Sequence, residues 1–199
     1  MSEQLISLIV FTMVVTFSPG PNNVLMAASG IQVGLQRSVP LGVGILTGIM
    51  LIVAVAAIGL GSVVEREPAL RMAMKVLGSL YLLWLGYKIA HAGAIDLSMA
   101  DRGQRRAFGA GFANTMLNPK AWTMALSAAA GYSSLASSAW RLMVVIGLVL
   151  LITGIANWFL WCGSGKAIAR RLRTERAWRT TNMVMGALVA LSIIPMWLK

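Results

Sequence analysis

Acidic residues are scarce in this sequence, and none lies inside a long apolar run. Of 199 residues only six are aspartate or glutamate, one is histidine and one is cysteine. The acids are Glu3, Glu65, Glu67, Asp96, Asp101 and Glu175, at the ends of apolar runs or between them. These absences exclude whole classes of chemistry. A carboxylate pair, a hydrolase triad or a multi-ligand metal centre cannot be assembled within the apolar segments. Soft or acidic ligands for carrying a metal are missing as well. Cys162 alone allows no intrachain disulfide. No enzyme activity, cofactor or metal site is expected.

Charge of either sign is also low, at 12% of residues against 58% hydrophobic; a soluble domain carries roughly 25% charged residues. The chain reads as a single all-α integral membrane domain over residues 1–199, with no linker or low-complexity segment. Its first residues lack a basic stretch, and no small-residue cleavage site follows the first apolar run, which is therefore read as a retained span. Six spans are expected, over residues 5–33, 39–63, 70–90, 107–132, 140–163 and 177–198. About 20 helical residues cross the hydrocarbon core, so each is long enough.

The net charge of +11 is distributed unevenly. Eleven lysines and arginines fall in the loops after spans one, three and five, from Arg37 to Arg179; Arg66, Arg71, Lys75, Arg141 and Lys199 lie on the other side. The positive-inside rule makes the first set cytoplasmic and puts both termini outside. The basic stretch between Lys166 and Arg179 reads as topogenic charge, or more sharply as a surface that meets anionic lipid headgroups. No aromatic-studded groove points to nucleic acid.

Against this background one stretch stands out. Ser18-Pro19-Gly20-Pro21-Asn22-Asn23 interrupts span one, where two prolines remove backbone donors. Unpaired backbone groups cost several kcal/mol each in hydrocarbon, so such a break must be buried in protein or line a cavity. Broken helices of this kind mark the binding sites of secondary transporters. Span four breaks at Leu117-Asn118-Pro119-Lys120. The two breaks occupy matching places in two halves of three spans, the pattern of an inverted repeat.

Lys120 is the one embedded charge, costing about 2.5–3.5 kcal/mol at a helix centre. No embedded acid exists to pair with it. It is left to meet a substrate carboxylate, a carbonyl freed by the broken helix, or water, or to snorkel to the interface. Substrate contact is expected from Pro19, Gly20, Pro21, Asn22 and Asn23 at the first break, from Asn114, Asn118, Pro119 and Lys120 around the second, and from Asn157 in span five. The amides could hold an ammonium and a carboxylate together. The plainer alternative, strongest for Asn114 and Asn157, is hydrogen bonding between helices. Gly44-Ile45-Leu46-Thr47-Gly48 is a small-xxx-small pattern, which marks close packing within the chain or between copies in a homo-oligomer.

These residues resemble a known family. The first break, followed by Ser29-Gly30, Gly34, Arg37, Pro40, Gly42 and Gly48, is similar to the signature of LysE/RhtB amino-acid exporters. Gly111-Phe112-Ala113-Asn114 and Leu117-Asn118-Pro119-Lys120-Ala121 resemble its second signature. Tyr81, Leu82, Trp84, Leu85 and Gly86, between Gly78 and Lys88, resemble its third span. The resemblance implies export of small amino acids or derivatives from the cytoplasm across a bacterial inner membrane, energised by the proton gradient. The threonine and homoserine exporter branch carries an aspartate in span five. Here Thr153-Gly154-Ile155-Ala156-Asn157-Trp158 is closer to the branch exporting cysteine and O-acetylserine. A passive channel and a non-transporting membrane scaffold or subunit are the readings from other classes.

Overall fold

Prolines open the helices. Pro21, Pro40, Pro68 and Pro119 each stand in the first turn of one, where the missing N–H costs no hydrogen bond and the fixed φ is already helical. The computed structural model describes residues 2–59, 67–91, 100–172 and 174–197. Within them the chain forms α1 (Ser2–Phe17), α2 (Pro21–Gln32), α3 (Gly34–Arg37), α4 (Val39–Ala57), α5 (Pro68–Ala90), α6 (Ala100–Met116), α7 (Pro119–Gly131), α8 (Ala139–Ala169), α9 (Glu175–Leu191) and α10 (Ile194–Trp197). No strand occurs among the described residues.

Each expected span coincides with a helix or a pair of helices. The first is split into α1 and α2, bent by 59°, and the fourth into α6 and α7. Residues 60–63 of the second span and 198 of the sixth lie outside the described residues. So do Glu65, Arg66, Asp96, Arg173 and Lys199. By length and composition α4 and α8 can each cross a membrane, and α1 with α2 makes a third crossing if counted as one bent span. Each second piece begins with a proline in its first turn, Pro21 in α2 and Pro119 in α7.

Polarity is inverted relative to a soluble protein. Ile6, Val14, Leu80, Tyr87, Trp140 and Ile152 are exposed on the outer faces, while Asn23, Asn114, Thr115, Asn118 and Asn157 are buried inside. That arrangement suits a chain whose solvent is lipid.

Between the helices, glycine sets the distance. α2 packs along α8, α4 along α6, and α5 along α9. A Cβ built on Gly30 would overlap the Cys162 carbonyl, and one on Gly165 would overlap the Ala27 carbonyl. The same reciprocity joins Gly44 with Phe108 and Gly111 with Leu41, and it joins Gly86 with Gly186. The pattern at Gly44 and Gly48 is thus used within the chain, against α6. This packing also explains why α8 runs six residues past the expected end at 163. Gly163-Ser164-Gly165 looks like a helix stop, but Gly165 is a contact point that holds the helix against α2.

Gly30→Ala should therefore force α2 and α8 apart and cost about 1–3 kcal/mol, the usual cost of overpacking. Gly163→Ala, where a Cβ meets nothing within 4 Å, should stay within about 0.5 kcal/mol of the parent. Thermal unfolding of the two purified variants in detergent tests the difference, and equal stabilities would refute it.

Candidate functional site

A helix broken at membrane depth leaves carbonyls at one side of the break and N–H groups at the other. At the first break the carbonyls come from α1. The Asn23 side-chain amide turns back and donates to Thr16 O and Ser18 O, both at 2.8 Å. The Lys120 ammonium arrives from α7 and donates to Ser18 O at 2.7 Å, Ser18 Oγ at 2.8 Å and Pro19 O at 3.2 Å. The Ser18 hydroxyl in turn donates to Val15 O at 2.8 Å. Of the partners open to Lys120 from sequence, the structure selects the freed backbone oxygens.

The donor side of the break is α2. Its N-cap, Gly20, is fully extended (φ −178°, ψ 174°) and has no capping side chain. That backbone suits any residue, so space rather than conformation requires glycine here. A Cβ at Gly20 would lie 3.1 Å from Lys120 Nζ and 3.2 Å from its Cδ.

The second break is closed by its own residues. Asn118 Oδ1 accepts from Lys120 N at 3.1 Å, an N-cap for α7. The Trp122 indole donates to Met116 O at 2.8 Å. Of the two helices that follow a break, α7 is capped by Asn118 and α2 has no side-chain cap.

Amides tie the breaks to the neighbouring helices. Asn114 donates to Asn22 Oδ1, joining α6 to α2. Asn157 Nδ2 donates to Asn23 Oδ1 at 2.7 Å, joining α8 to α2. Asn157 is 2% exposed, and its Oδ1 has no hydrogen-bond partner; neither has the indole nitrogen of Trp158.

Between these groups lies a cavity of about 50 Å³, room for a few water molecules. It is lined by residues of both breaks, with α4 and α8 completing the wall. Of the residues expected at the site, Gly20, Asn22, Asn23, Asn118, Lys120 and Asn157 line it. Pro19, Pro21 and Pro119 shape the breaks without lining the cavity, and Asn114 stands one step behind Asn22. Thr16, Gly42, Met124 and Trp158 also line it. Gly42 and Trp158 stand in stretches that carry the family resemblance but were not expected to touch substrate, and Thr16 and Met124 carried no signal. Gly42 makes room for the Trp158 ring, 3.4 Å from where its Cβ would stand. No acid lines the cavity. Among the described residues no group of three or more histidines, cysteines or acids could hold a metal.

The family model described as LysE type translocator matches residues 13–192. The chain is similar to the cysteine/O-acetylserine efflux protein of Salmonella typhimurium, 23% identical over 179 residues and 90% of each chain. That of Escherichia coli O1:K1 / APEC is 24% identical over 179 residues, again 90% of each. That of Klebsiella pneumoniae subsp. pneumoniae is 32% identical over 91 residues, 45% of this chain and 46% of the relative. No solved structure matches significantly. With the family match running through both breaks and the whole cavity lining, the chain belongs to the LysE type translocator family, a membrane transporter and not an enzyme.

Proposed function

We propose that this protein exports small amino acids or their derivatives from the cytoplasm across a bacterial inner membrane, in exchange for protons. The observation that carries the reading is the cavity between the two breaks, which offers helix ends, amides and one ammonium but no acid. At the first break the negative end of α1 and the positive end of α2 lie side by side, each worth about half an elementary charge. Together they complement a zwitterion. The carboxylate would meet the uncapped first turn of α2 with Asn22. The ammonium would meet the terminal oxygens of α1 and the unpartnered Asn157 Oδ1. The relatives named for efflux of cysteine and O-acetylserine support an amino-acid substrate.

Alternating access needs two halves that can rock about this site. The reading assigns six spans to two inverted halves: α1–α2, α4 and α5 in one, α6–α7, α8 and α9 in the other. Helix packing supports it at the level of spans. Exchanging each span for its counterpart leaves the α5–α9 and α4–α8 contacts in place and exchanges α2–α8 with α4–α7, both of which occur. Three spans per half is an odd number, so the halves would insert in opposite senses. The excess of basic residues in the loops after spans one, three and five favours a cytoplasmic placement for them, with both termini outside. The same basic face offers anionic lipids a surface around Arg170, Arg171, Arg176 and Arg179.

Purified protein in liposomes, given L-cysteine, O-acetyl-L-serine, L-threonine, glycine and L-lysine in turn, should show saturable counterflow with at least one of them. Flux that rises linearly and shows no counterflow would indicate a channel, and no flux with any of the five would favour a scaffold. Replacing Pro19, Gly20 and Pro21 together by alanine favours a continuous helix, because each interior proline costs about 3 kcal/mol. That variant should express and fold while losing counterflow; normal transport by it would remove the first break from the site. For orientation, Thr174→Cys, at an exposed N-cap, should resist an impermeant thiol reagent applied to intact cells, and rapid labelling would reverse the direction of export.

A further inference from the structure

The Lys120 ammonium already sits where the proposed function puts the substrate's own ammonium. It bonds Ser18 O at 2.7 Å, Ser18 Oγ at 2.8 Å and Pro19 O at 3.2 Å. Three acceptors use every donor an ammonium has, and all three are neutral. Freed carbonyls at the C-terminal ends of half-helices hold the coupling cation in many secondary transporters. Here a cation tethered to the other broken helix fills that place.

No other titratable group lines the cavity. On α1 the only one is Glu3, in the first turn. α2 and α4 carry none, and α7 carries only Lys120. On α8 they are Arg141 near the start, Lys166 in the last turn and the buried thiol of Cys162. On α6, acids and bases are confined to Asp101 through Arg106, and on α9 to Glu175, Arg176 and Arg179.

We propose that the Lys120 ammonium and the substrate ammonium are alternative occupants of the oxygen cluster at the end of α1, and that the proton which Lys120 loses and regains in giving up that place is the one exchanged for substrate. The inference rests on the transport reading above. With the cavity open to the cytoplasm, one Nζ–H bond breaks and its proton passes to water on that side. The electron pair stays on Nζ, and the neutral amine releases its charge-assisted hold on Ser18 and Pro19. The substrate ammonium takes the vacated oxygens. After the cavity opens outward and substrate leaves, Nζ takes a proton from outer water, the N–H bond re-forms and the ammonium returns. One proton enters for each zwitterion exported, so each cycle moves one positive charge inward. Two cations cannot share the cluster, and that exclusion makes the exchange obligatory.

The test uses the whole protein in liposomes and the best-transported amino acid of the panel, with an internal pH dye. In the parent protein, lowering the pH on the substrate side should raise KM about tenfold per unit at constant kcat, as one competing proton requires. A fall in kcat at constant KM would overturn the competition. Lys120→Met should lose substrate-dependent proton movement and no longer accumulate substrate against a pH gradient. Lys120→Met that still accumulates substrate in response to a pH gradient would overturn the proposal. If Lys120→Met does not fold or does not transport, the KM series on the parent protein decides alone. Counterflow without proton movement in the parent would sink this inference and leave amino-acid transport standing; no transport of any amino acid would sink the transport reading itself.

Discussion

The carbonyls at the end of α1 need new hydrogen-bond partners, and much of the central architecture answers that demand. Thr16 O, Ser18 O and Pro19 O lose their helical partners at the break, and each would cost several kcal/mol if left bare in hydrocarbon. Asn23 and Lys120 provide five hydrogen bonds to these three oxygens and the Ser18 hydroxyl. The same bonds offset the desolvation of the lysine, since a hydrogen bond to a charged group contributes about 1.5–3 kcal/mol. A lysine with no acid beside it and a broken helix, each unfavourable alone, thus satisfy one another.

Satisfying α1 also fixes the polarity of the amides behind it. Asn23 must present its NH₂ to two carbonyls, so its Oδ1 faces α8 and needs a donor. Asn157 must then turn its Nδ2 toward Asn23, leaving its own Oδ1 as an acceptor without a protein partner. An acceptor left over in this way is well placed to meet an ammonium. The glycine contacts at Gly30 and Gly165 bring α8 close enough to α2 for the amide bond to form, so helix packing outside the cavity sets the geometry inside it.

Sequence reading reached the helices and both breaks because proline and long apolar runs act locally. It reached six of the cavity-lining residues for the same reason: amides and a lysine at membrane depth demand partners wherever they are. It did not separate Pro19 from Pro21 as the start of α2, since either can begin a helix and only the capping geometry decides. The end of α8 was misjudged because Gly165 signals a stop locally and a helix contact in three dimensions. Gly42 and Trp158 stand in stretches that carry the family resemblance, but their place in the cavity wall depends on which helix lies opposite, and that is a long-range fact. The partner of Lys120 stayed open for the same reason; its oxygens lie about a hundred positions earlier in the chain.

The two breaks are alike in construction and different in use. Each begins its second half with proline in the first turn. At the second, Asn118 caps α7 and Trp122 covers Met116 O, both from within the segment itself. At the first, α2 has no side-chain cap and α1 depends on a lysine from α7. A break completed by a group from another helix has a partner that can be exchanged, and any ligand that takes the Ser18 and Pro19 oxygens must displace Lys120. The oxygen cluster at the end of α1 therefore ties what occupies the cavity to how α7 sits against α1.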